Sequence, residues 1–322
     1  MKKHGKRGSA PKNAPRGRER YGREDKRKDS RRGFEKESEK GSEKRFEKKK
    51  DHPARHVAAV KPVRPEKRER PFEPPKPRFK AALWGIHACR AALLNPERAI
   101  RRLYVTEQER PAFEVLLEEA RVQGRALPAV QIVEKADIDR SLPREAVHQG
   151  VAMDADPLPE IFVQDLIAAA TLKERSVFVI LDQVTDPHNV GAILRSACAF
   201  GADGVVMQRR HAPEIDGVAA KAASGAADYL RVAYETNLSR TIEIFQEAGY
   251  IVIGLDERGE KDIGALKGPP RAVLVLGAEG AGMRHLVREH CDVLVRLPTG
   301  GPVGSLNVSN AAAVALYAIK EA

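Results

Sequence analysis

Apolar residues in the C-terminal half of the chain form short unbroken runs, which alternate with runs in which they recur every three or four positions. The unbroken runs at residues 177–181 and 273–277 predict strands that are buried on both faces. The spacing of Ile193, Leu194 and Ala197 predicts a helix after the first of these strands. Similar patterns predict further strands at residues 204–207, 250–254 and 293–297. This alternation predicts an α/β fold, a parallel sheet covered by helices on both faces.

A shorter segment upstream shows its own alternation of helical and strand patterns. The predicted order is helix 86–94, strand 103–106, helix 112–123, strand 129–133, helix 137–142 and strand 150–155. The chain is long enough for two domains by the usual size relation. The sequence therefore predicts a small α/β domain at residues 81–157 and a larger domain at residues 158–322.

The net positive charge of the chain is confined to its N-terminal quarter. Residues 1–80 hold 30 Lys and Arg against 13 Asp and Glu, a net charge of +17, whereas the rest holds 26 against 32, a net charge of −6. Without an apolar period this segment cannot offset its ordering entropy, and we predict a disordered tail with a proline-rich linker at 62–77. A basic arm of this kind binds phosphate backbone without reading sequence. An extension that only improves solubility is the alternative.

Cysteine spacing and hydropathy bear on the cellular compartment of the protein and on the kinds of site it contains. Cys89, Cys198 and Cys291 stand far apart without a CxxC spacing, so neither a zinc site nor a disulfide framework is indicated. No apolar run is long enough to span a bilayer, and the N-terminal residues lack the apolar core of a signal peptide. We therefore expect a cytoplasmic protein that uses no metal and no membrane.

Polar residues and glycines cluster at three places after predicted strands: DPHNVGAILRSA at 186–197, GAEGAGM at 277–283 and SLNVSNA at 305–311. Taken singly, Asn189, Asn307 and Ser309 are explained as helix caps and Arg195 as a solvated helix residue. The glycines of the second cluster allow close backbone approach to a ligand. That cluster is neither GxGxxG nor a phosphate-binding P-loop, which weighs against a nucleotide-dependent enzyme with a Rossmann sheet.

Together, these clusters resemble the three sequence motifs of the SpoU (TrmH-like) RNA 2'-O-ribose methyltransferases of the SPOUT superfamily. The resemblance covers residues 82–322, because WGIHACRAALL from Trp84 and HQGVA from His148 are similar to the small RNA-binding domain of bacterial 23S rRNA guanosine 2'-O-methyltransferases. It implies a C-terminal trefoil knot, S-adenosylmethionine (AdoMet) as methyl donor, RNA as substrate and a homodimer. The small domain favours 23S rRNA, and a guanosine within it, as the target.

The resemblance also assigns site residues, position by position. AdoMet would be held by backbone groups at Gly277, Leu297 and Leu306. The catalytic set would be Arg195, Asn189, Glu279, Asn307 and Ser305. A guanidinium is effectively always protonated, so we interpret the arginine as a cation that holds the target phosphate and stabilises the developing alkoxide. Asn189 and Glu279 would position Arg195 and the loops, and Asn307 with Ser305 would line the acceptor side. His148 and His188 are interpreted as structural.

Two alternatives to an rRNA methyltransferase remain beside the nucleotide-dependent enzyme. A tRNA 2'-O-methyltransferase of the same family would carry the same three motifs, although such relatives usually lack the small domain. A non-catalytic RNA-binding or ribosome-assembly factor would keep the fold. The intact set of polar motif residues argues against that last alternative.

Overall fold

The computed structural model describes residues 78–266 and 268–321. The predicted tail at 1–80, apart from its last three residues, and the predicted linker at 62–77 lie outside the described residues. The described chain forms two sheets, one of four strands and one of seven. We call residues 78–157 the four-stranded lobe and residues 158–321 the seven-stranded lobe.

The four-stranded lobe is a small mixed sheet covered by three helices. Its elements are β1 (Leu83–Trp84), α1 (Ile86–Leu94), β2 (Ile100–Val105), α2 (Arg110–Val122), β3 (Ala129–Ile132), α3 (Lys135–Ser141) and β4 (Val151–Ala155). The strand order is β1-β4-β2-β3, with β4 antiparallel to both neighbours and β2 parallel to β3. Leu103, Phe113 and Met153 are fully buried between this sheet and its helices.

The seven-stranded lobe is built on a wholly parallel sheet. Its strands are β5 (Ser176–Asp182), β6 (Gly204–Gln208), β7 (Val232–Glu235), β8 (Ile251–Leu255), β9 (Lys261–Asp262), β10 (Arg271–Gly277) and β11 (Val293–Arg296). They lie in the order β7-β6-β5-β10-β8-β11-β9. The register of the central pair sets Gly277 beside Asp182, so both residues end their strands at the carboxyl edge of the sheet. Ligand sites of open α/β sheets form at that edge.

Helices cover both faces of this sheet, as the alternation predicts. They are α4 (Val163–Ala170), α5 (Pro187–Ala199), α6 (Gly217–Ala223), α7 (Ala226–Tyr229), α8 (Leu238–Glu247), α9 (His285–Glu289) and α10 (Val308–Glu321). Because successive strand residues point to opposite faces, Val179 and Leu181 join the core beneath α5 and α10. Phe178 and Ile180 join the core beneath α4 and α8 instead. One strand therefore supplies both cores.

The structure confirms the predicted α/β class and parallel sheet, and each predicted element lies within three residues of its observed bounds. The three strands missed by the sequence analysis, β1, β7 and β9, have two to four residues each. The knot implied by the family resemblance stays a prediction. Among the described residues, no helix combines the length and apolarity needed to cross a membrane.

Candidate active site

Asn307 stands at the start of α10 and caps that helix. Its side-chain Oδ1 accepts hydrogen bonds from the backbone N of Ser309, at 2.9 Å, and from the Ser309 hydroxyl, while its carbonyl accepts from Ala311 N at 2.9 Å. The cap interpretation of this residue is therefore correct. Because both bonds from Ser309 occupy the amide oxygen, the amide nitrogen of Asn307 points away from the helix.

That amide nitrogen joins the three motif clusters. Asn307 Nδ2 donates to Asn189 Oδ1 at 3.0 Å and lies 3.4 Å from Glu279 Oε2. An amide group has two N–H donors, so both acceptors can be served at once. Asn189 is itself held at the N-terminal turn of α5, which Asp186 caps by accepting from His188 N at 3.1 Å. Side chains that are far apart in the sequence thus form one hydrogen-bonded network.

The loop carrying Glu279 is a tight hairpin at the end of β10. Ala278 N donates to Gly282 O at 3.1 Å and Gly282 N donates back to Ala278 O at 2.8 Å. A Cβ at Gly277 would overlap the backbone of Gly282 and Met283, so this turn requires glycine there. Glu279 is exposed at the tip of the hairpin.

An ion pair with a buried carboxylate anchors the far end of the same loop. Asp182 is fully buried at the end of β5, and its two carboxylate oxygens accept from Arg284 N and Arg284 Nε, both at 2.7 Å. A buried charge is tolerated when it is paired and hydrogen-bonded in this way. Neither Asp182 nor the role of Ser309 in orienting Asn307 was predicted from the sequence. An acid that ends an unbroken apolar strand was the available signal for Asp182.

Arg195 lies apart from this network. It is exposed in the third turn of α5 and makes no hydrogen bond or ion pair with the residues that the structure describes. Asn189 and Glu279 contact Asn307 and do not contact Arg195, so the expectation that they position Arg195 stays a prediction. Six residues of helix rotate Arg195 about 120° away from Asn189. The guanidinium faces solvent and is accessible to a substrate phosphate.

The positions predicted to hold AdoMet lie on the glycine-rich segments. Leu297 is half-buried against the core under α5 and α10, and Leu306 is 45 % exposed just before α10. Between them, Cβ atoms at Gly300, Gly301 and Gly304 would meet open space, and Thr299 Oγ1 donates to Gly304 O at 3.0 Å. Exposed apolar side chains beside accessible backbone N–H and C=O groups suit an adenosyl group, so these residues fit the methyl donor.

The remaining residues considered in the sequence analysis are Ser305, His188 and His148. Ser305 is exposed, and its hydroxyl has no hydrogen-bond partner within the described chain. His188 is exposed, whereas His148 is buried, accepting from Gly150 N at 3.1 Å through Nδ1 and lying 2.9 Å from Asp139 Oδ1 through Nε2. That pairing gives His148 a structural place in the four-stranded lobe.

Thiol and metal chemistry gain no support from the geometry. Burial raises the pKa of Cys291 to about 12, and it raises the pKa of Cys89 and Cys198 above the usual range. These thiols stay protonated near neutral pH and are poor nucleophiles. Within residues 78–266 and 268–321, no three His, Cys, Asp or Glu side chains are grouped to bind a metal ion.

Comparison with known sequences decides the family. Residues 176–317 match the model of the SpoU rRNA Methylase family, and residues 82–161 match the model described as RNA 2'-O ribose methyltransferase substrate binding. The chain is 37% identical over 241 residues to the 23S rRNA (guanosine-2'-O-)-methyltransferase RlmB of Pseudomonas putida, covering 73% of this chain and 94% of that protein. The chain belongs to the SpoU family.

Other SpoU relatives give the same result. Identity is 39% over 239 residues to RlmB of Haemophilus ducreyi, covering 74% of this chain and 96% of that protein. It is 37% over 222 residues to the putative TrmH family tRNA/rRNA methyltransferase YacO of Bacillus subtilis, covering 66% and 89%. The predicted family and the predicted class of enzyme, an RNA methyltransferase, are confirmed.

Solved SpoU structures share the fold. The methyltransferase AviRb of Streptomyces viridochromogenes, determined in complex with AdoMet, is 23% identical and superposes with a TM-score of 0.60 over 74% of this chain and 88% of AviRb. An AdoMet-bound rRNA methyltransferase from Sinorhizobium meliloti is 22% identical, with a TM-score of 0.61 over 75% and 87%. AdoMet is accordingly the methyl donor expected for this chain.

Proposed function

We propose that this chain transfers the methyl group of AdoMet to the 2'-oxygen of a guanosine ribose in 23S rRNA. The observation that carries the proposal is the contact of Asn307 with Asn189 and Glu279, which joins all three SpoU motifs beside the carboxyl edge of the sheet. The RlmB relatives, whose names specify this reaction, support the choice of nucleoside and of RNA.

The reaction is an in-line displacement, so the ribose oxygen must be aligned with the methyl group and relieved of its proton. AdoMet supplies the electrophilic methyl on a sulfonium, which requires no covalent intermediate on the protein. Asn189, Glu279 and Asn307 form a polar wall whose geometry is set by helix capping and by the hairpin. Arg195, exposed on α5, would hold the phosphate of the target nucleotide and stabilise the charge that develops on the oxygen. Ser305 would line the same acceptor side.

The two lobes would divide the work. Residues 81–157 would recognise RNA as the small substrate-binding domain, and residues 158–322 would form the methyltransferase domain. The match of residues 82–161 to a substrate-binding family supports this division. The tail at 1–80 would add sequence-independent attraction to phosphate, and the whole would act in the cytoplasm.

A homodimer is the assembly that we propose. One side of α10 packs on the core through Ala312, Ala315 and Leu316, whereas Val314 and Tyr317 on the other side are 47% and 55% exposed. Tyr317 lies edge-on to Phe200, with ring centroids 6.0 Å apart, and enlarges the apolar surface. Apolar patches of this kind mark interaction surfaces. Light scattering at micromolar concentration should give the mass of two chains, and a monomer mass would contradict the assembly.

Methyl transfer from labelled AdoMet to purified 23S rRNA and to tRNA tests the function directly. We expect a single methylated guanosine ribose in 23S rRNA and none in tRNA. Asn307→Ala should abolish most turnover, while Asn310→Ala, one turn further along the same helix and exposed, should not. Methylation of tRNA alone would move the assignment to a tRNA enzyme, and transfer to neither RNA would disprove it.

A further inference from the structure

A buried ion pair joins the two lobes. Arg98, in the loop after α1, and Asp228, in α7, meet with Nε and Oδ1 2.8 Å apart. Only 4% of the arginine side chain and 2% of the aspartate side chain are exposed. Two charges removed from water at a lobe boundary are unusual, because each loses its hydration when the lobes dock.

The ion pair is supported by further hydrogen bonds, two across the same boundary and two within the four-stranded lobe. Asn95 Nδ2 donates to Asp228 Oδ1 at 3.1 Å and to the Asp228 carbonyl at 3.0 Å. Arg98 also donates through Nη1 to the carbonyl of Asp156, at 2.9 Å, where the chain leaves the four-stranded lobe. Arg125 holds the Arg98 carbonyl at 3.1 Å. The ion pair and the two Asn95 bonds depend on the relative position of the lobes, so they are all made in only one arrangement. The bonds to the Asp156 and Arg98 carbonyls lie within the four-stranded lobe and hold the arginine in place there.

Backbone contacts beside the pair leave little room for sliding. Gly217 N, at the start of α6, donates to the carbonyl of Ala82 at 2.6 Å. A Cβ at Gly217 would lie 2.6 Å from the ring of Trp84, and one at Gly225 would lie 3.0 Å from Ala91 Cβ. Glycine therefore permits α6 and α7 to touch β1 and α1 directly.

The same helices contact the active-site helix on their other side. A Cβ at Gly191 in α5 would overlap the carbonyl of Ala219 in α6, so these two helices are packed backbone to backbone. Gly191 lies two residues from Asn189, which is bonded to Asn307. A continuous packed path thus runs from the four-stranded lobe through α6 to the catalytic network.

We propose that Arg98 and Asp228 are positioning residues, which lock the four-stranded lobe in one register against α6 and α7 and so determine which ribose reaches the active site. The proposal rests on the proposed function, because it assigns RNA binding to that lobe. An apolar seam alone would tolerate small displacements, whereas a buried ion pair penalises every arrangement that separates its charges. A displacement of 1 Å in the bound ribose is enough to lower turnover by about 100-fold.

Three variants distinguish an effect on the relative position of the lobes from an effect on folding. Asp228→Asn keeps the shape of the side chain but removes its charge. Arg98→Met with Asp228→Leu replaces both charges by apolar groups, a change that is often neutral or stabilising. Glu97→Gln is the matched control, because Glu97 pairs with Arg231 across the same boundary and both side chains are about half exposed. Exposed ion pairs contribute little to stability.

Hydrogen exchange tests the docking without RNA. In the wild-type chain and in Glu97→Gln we expect the Gly217 amide and α1 to be protected. Asp228→Asn should expose both, while β10 stays protected and AdoMet affinity is unchanged. Rapid exchange of the Gly217 amide in the wild-type chain, or wild-type protection in Asp228→Asn, would overturn the role of the Arg98–Asp228 pair in docking the lobes.

Kinetics and mapping of methylated riboses test the consequence for the substrate. Asp228→Asn should lower kcat/KM on 23S rRNA by about 100-fold, through misplacement of the ribose. The double variant should melt like the wild-type chain but methylate additional riboses. A double variant that modifies only the wild-type site, with wild-type KM and kcat, would refute the register role. If the wild-type chain instead modifies a different RNA, the proposed function fails, and the same comparison of variants on that RNA still tests the positioning role of Arg98 and Asp228.

Discussion

Replacing Asp182 by alanine should loosen the loop that carries Glu279. The substitution removes two charge-assisted hydrogen bonds to Arg284, from its backbone N and its Nε, both at 2.7 Å. Breaking a buried ion pair costs about 3–5 kcal/mol when the remaining charge stays buried. Here the Arg284 side chain is 37% exposed and regains water, so we expect the lower end, about 3 kcal/mol. For a domain of this size that corresponds to a fall in Tm of roughly 6–12 °C.

AdoMet binding should weaken by the same change. If the methyl donor must reorder even one residue of the freed loop, at about 1–2 kcal/mol of backbone entropy, its Kd rises about tenfold. Calorimetry with AdoMet and thermal denaturation measure the two effects. Asp262→Ala is the control, because Asp262 pairs with Arg296 at the end of neighbouring strands with both side chains about half exposed, and its loss should cost below about 1 kcal/mol. Equal Tm and equal Kd for the two variants would refute the anchoring role of Asp182.

Three further predictions follow from charge and burial. Arg195→Ala should nearly abolish methyl transfer while the AdoMet affinity measured by calorimetry is retained, since Arg195 contacts solvent and not the glycine-rich loops. Parallel losses of activity and of AdoMet affinity would contradict this role of Arg195. A chain that starts near Phe79 should bind RNA more weakly and with a shallower dependence on salt, because the tail at 1–80 carries the +17 charge. It should still modify the same ribose, since phosphate contacts do not specify sequence. Equal salt slopes for the full and the shortened chain would contradict this role of the tail. Burial raises the pKa of Cys291 to about 12, so the unfolded thiol ionises first and stability should fall as pH rises above about 9. Melting from pH 8 to pH 10 should show a smaller fall in Cys291→Ala, and identical profiles would count against the assignment.

Periodicity predicted the parts of the fold in which burial is uniform. Strand β5 was predicted within one residue because both of its faces are covered, so its apolar run is unbroken. The short edge strand β9 has only Lys261 and Asp262, and its pairing with Val295 and Arg296 depends on the register of β11. Nothing in those two polar residues indicates a strand.

The sequence indicates the polar residues of the three motifs but not the contacts that they make with one another. Local sequence indicates that Asn307 caps a helix, which is correct, but Asn189 lies 118 residues earlier, and their contact depends on how α5 and α10 pack. The pair of Arg98 and Asp228 shows the same limit across 130 residues, because a charged side chain is normally exposed. Contacts between residues that are far apart in the sequence depend on tertiary packing, which local sequence patterns do not reveal.

The Asn307 amide both caps α10 and donates to the other two motifs, so the identity of this residue is informative when homologous sequences are compared. Asn, Asp and Ser cap helices almost equally well, so selection for the α10 start alone would accept any of them. Only asparagine also donates to Asn189 and Glu279 while its oxygen accepts from Ser309. In a homologue with aspartate there, the helix would remain intact, but a second carboxylate would face Glu279. Under the proposed function, the residue at this one cap would distinguish homologues able to transfer a methyl group from homologues that keep only the scaffold.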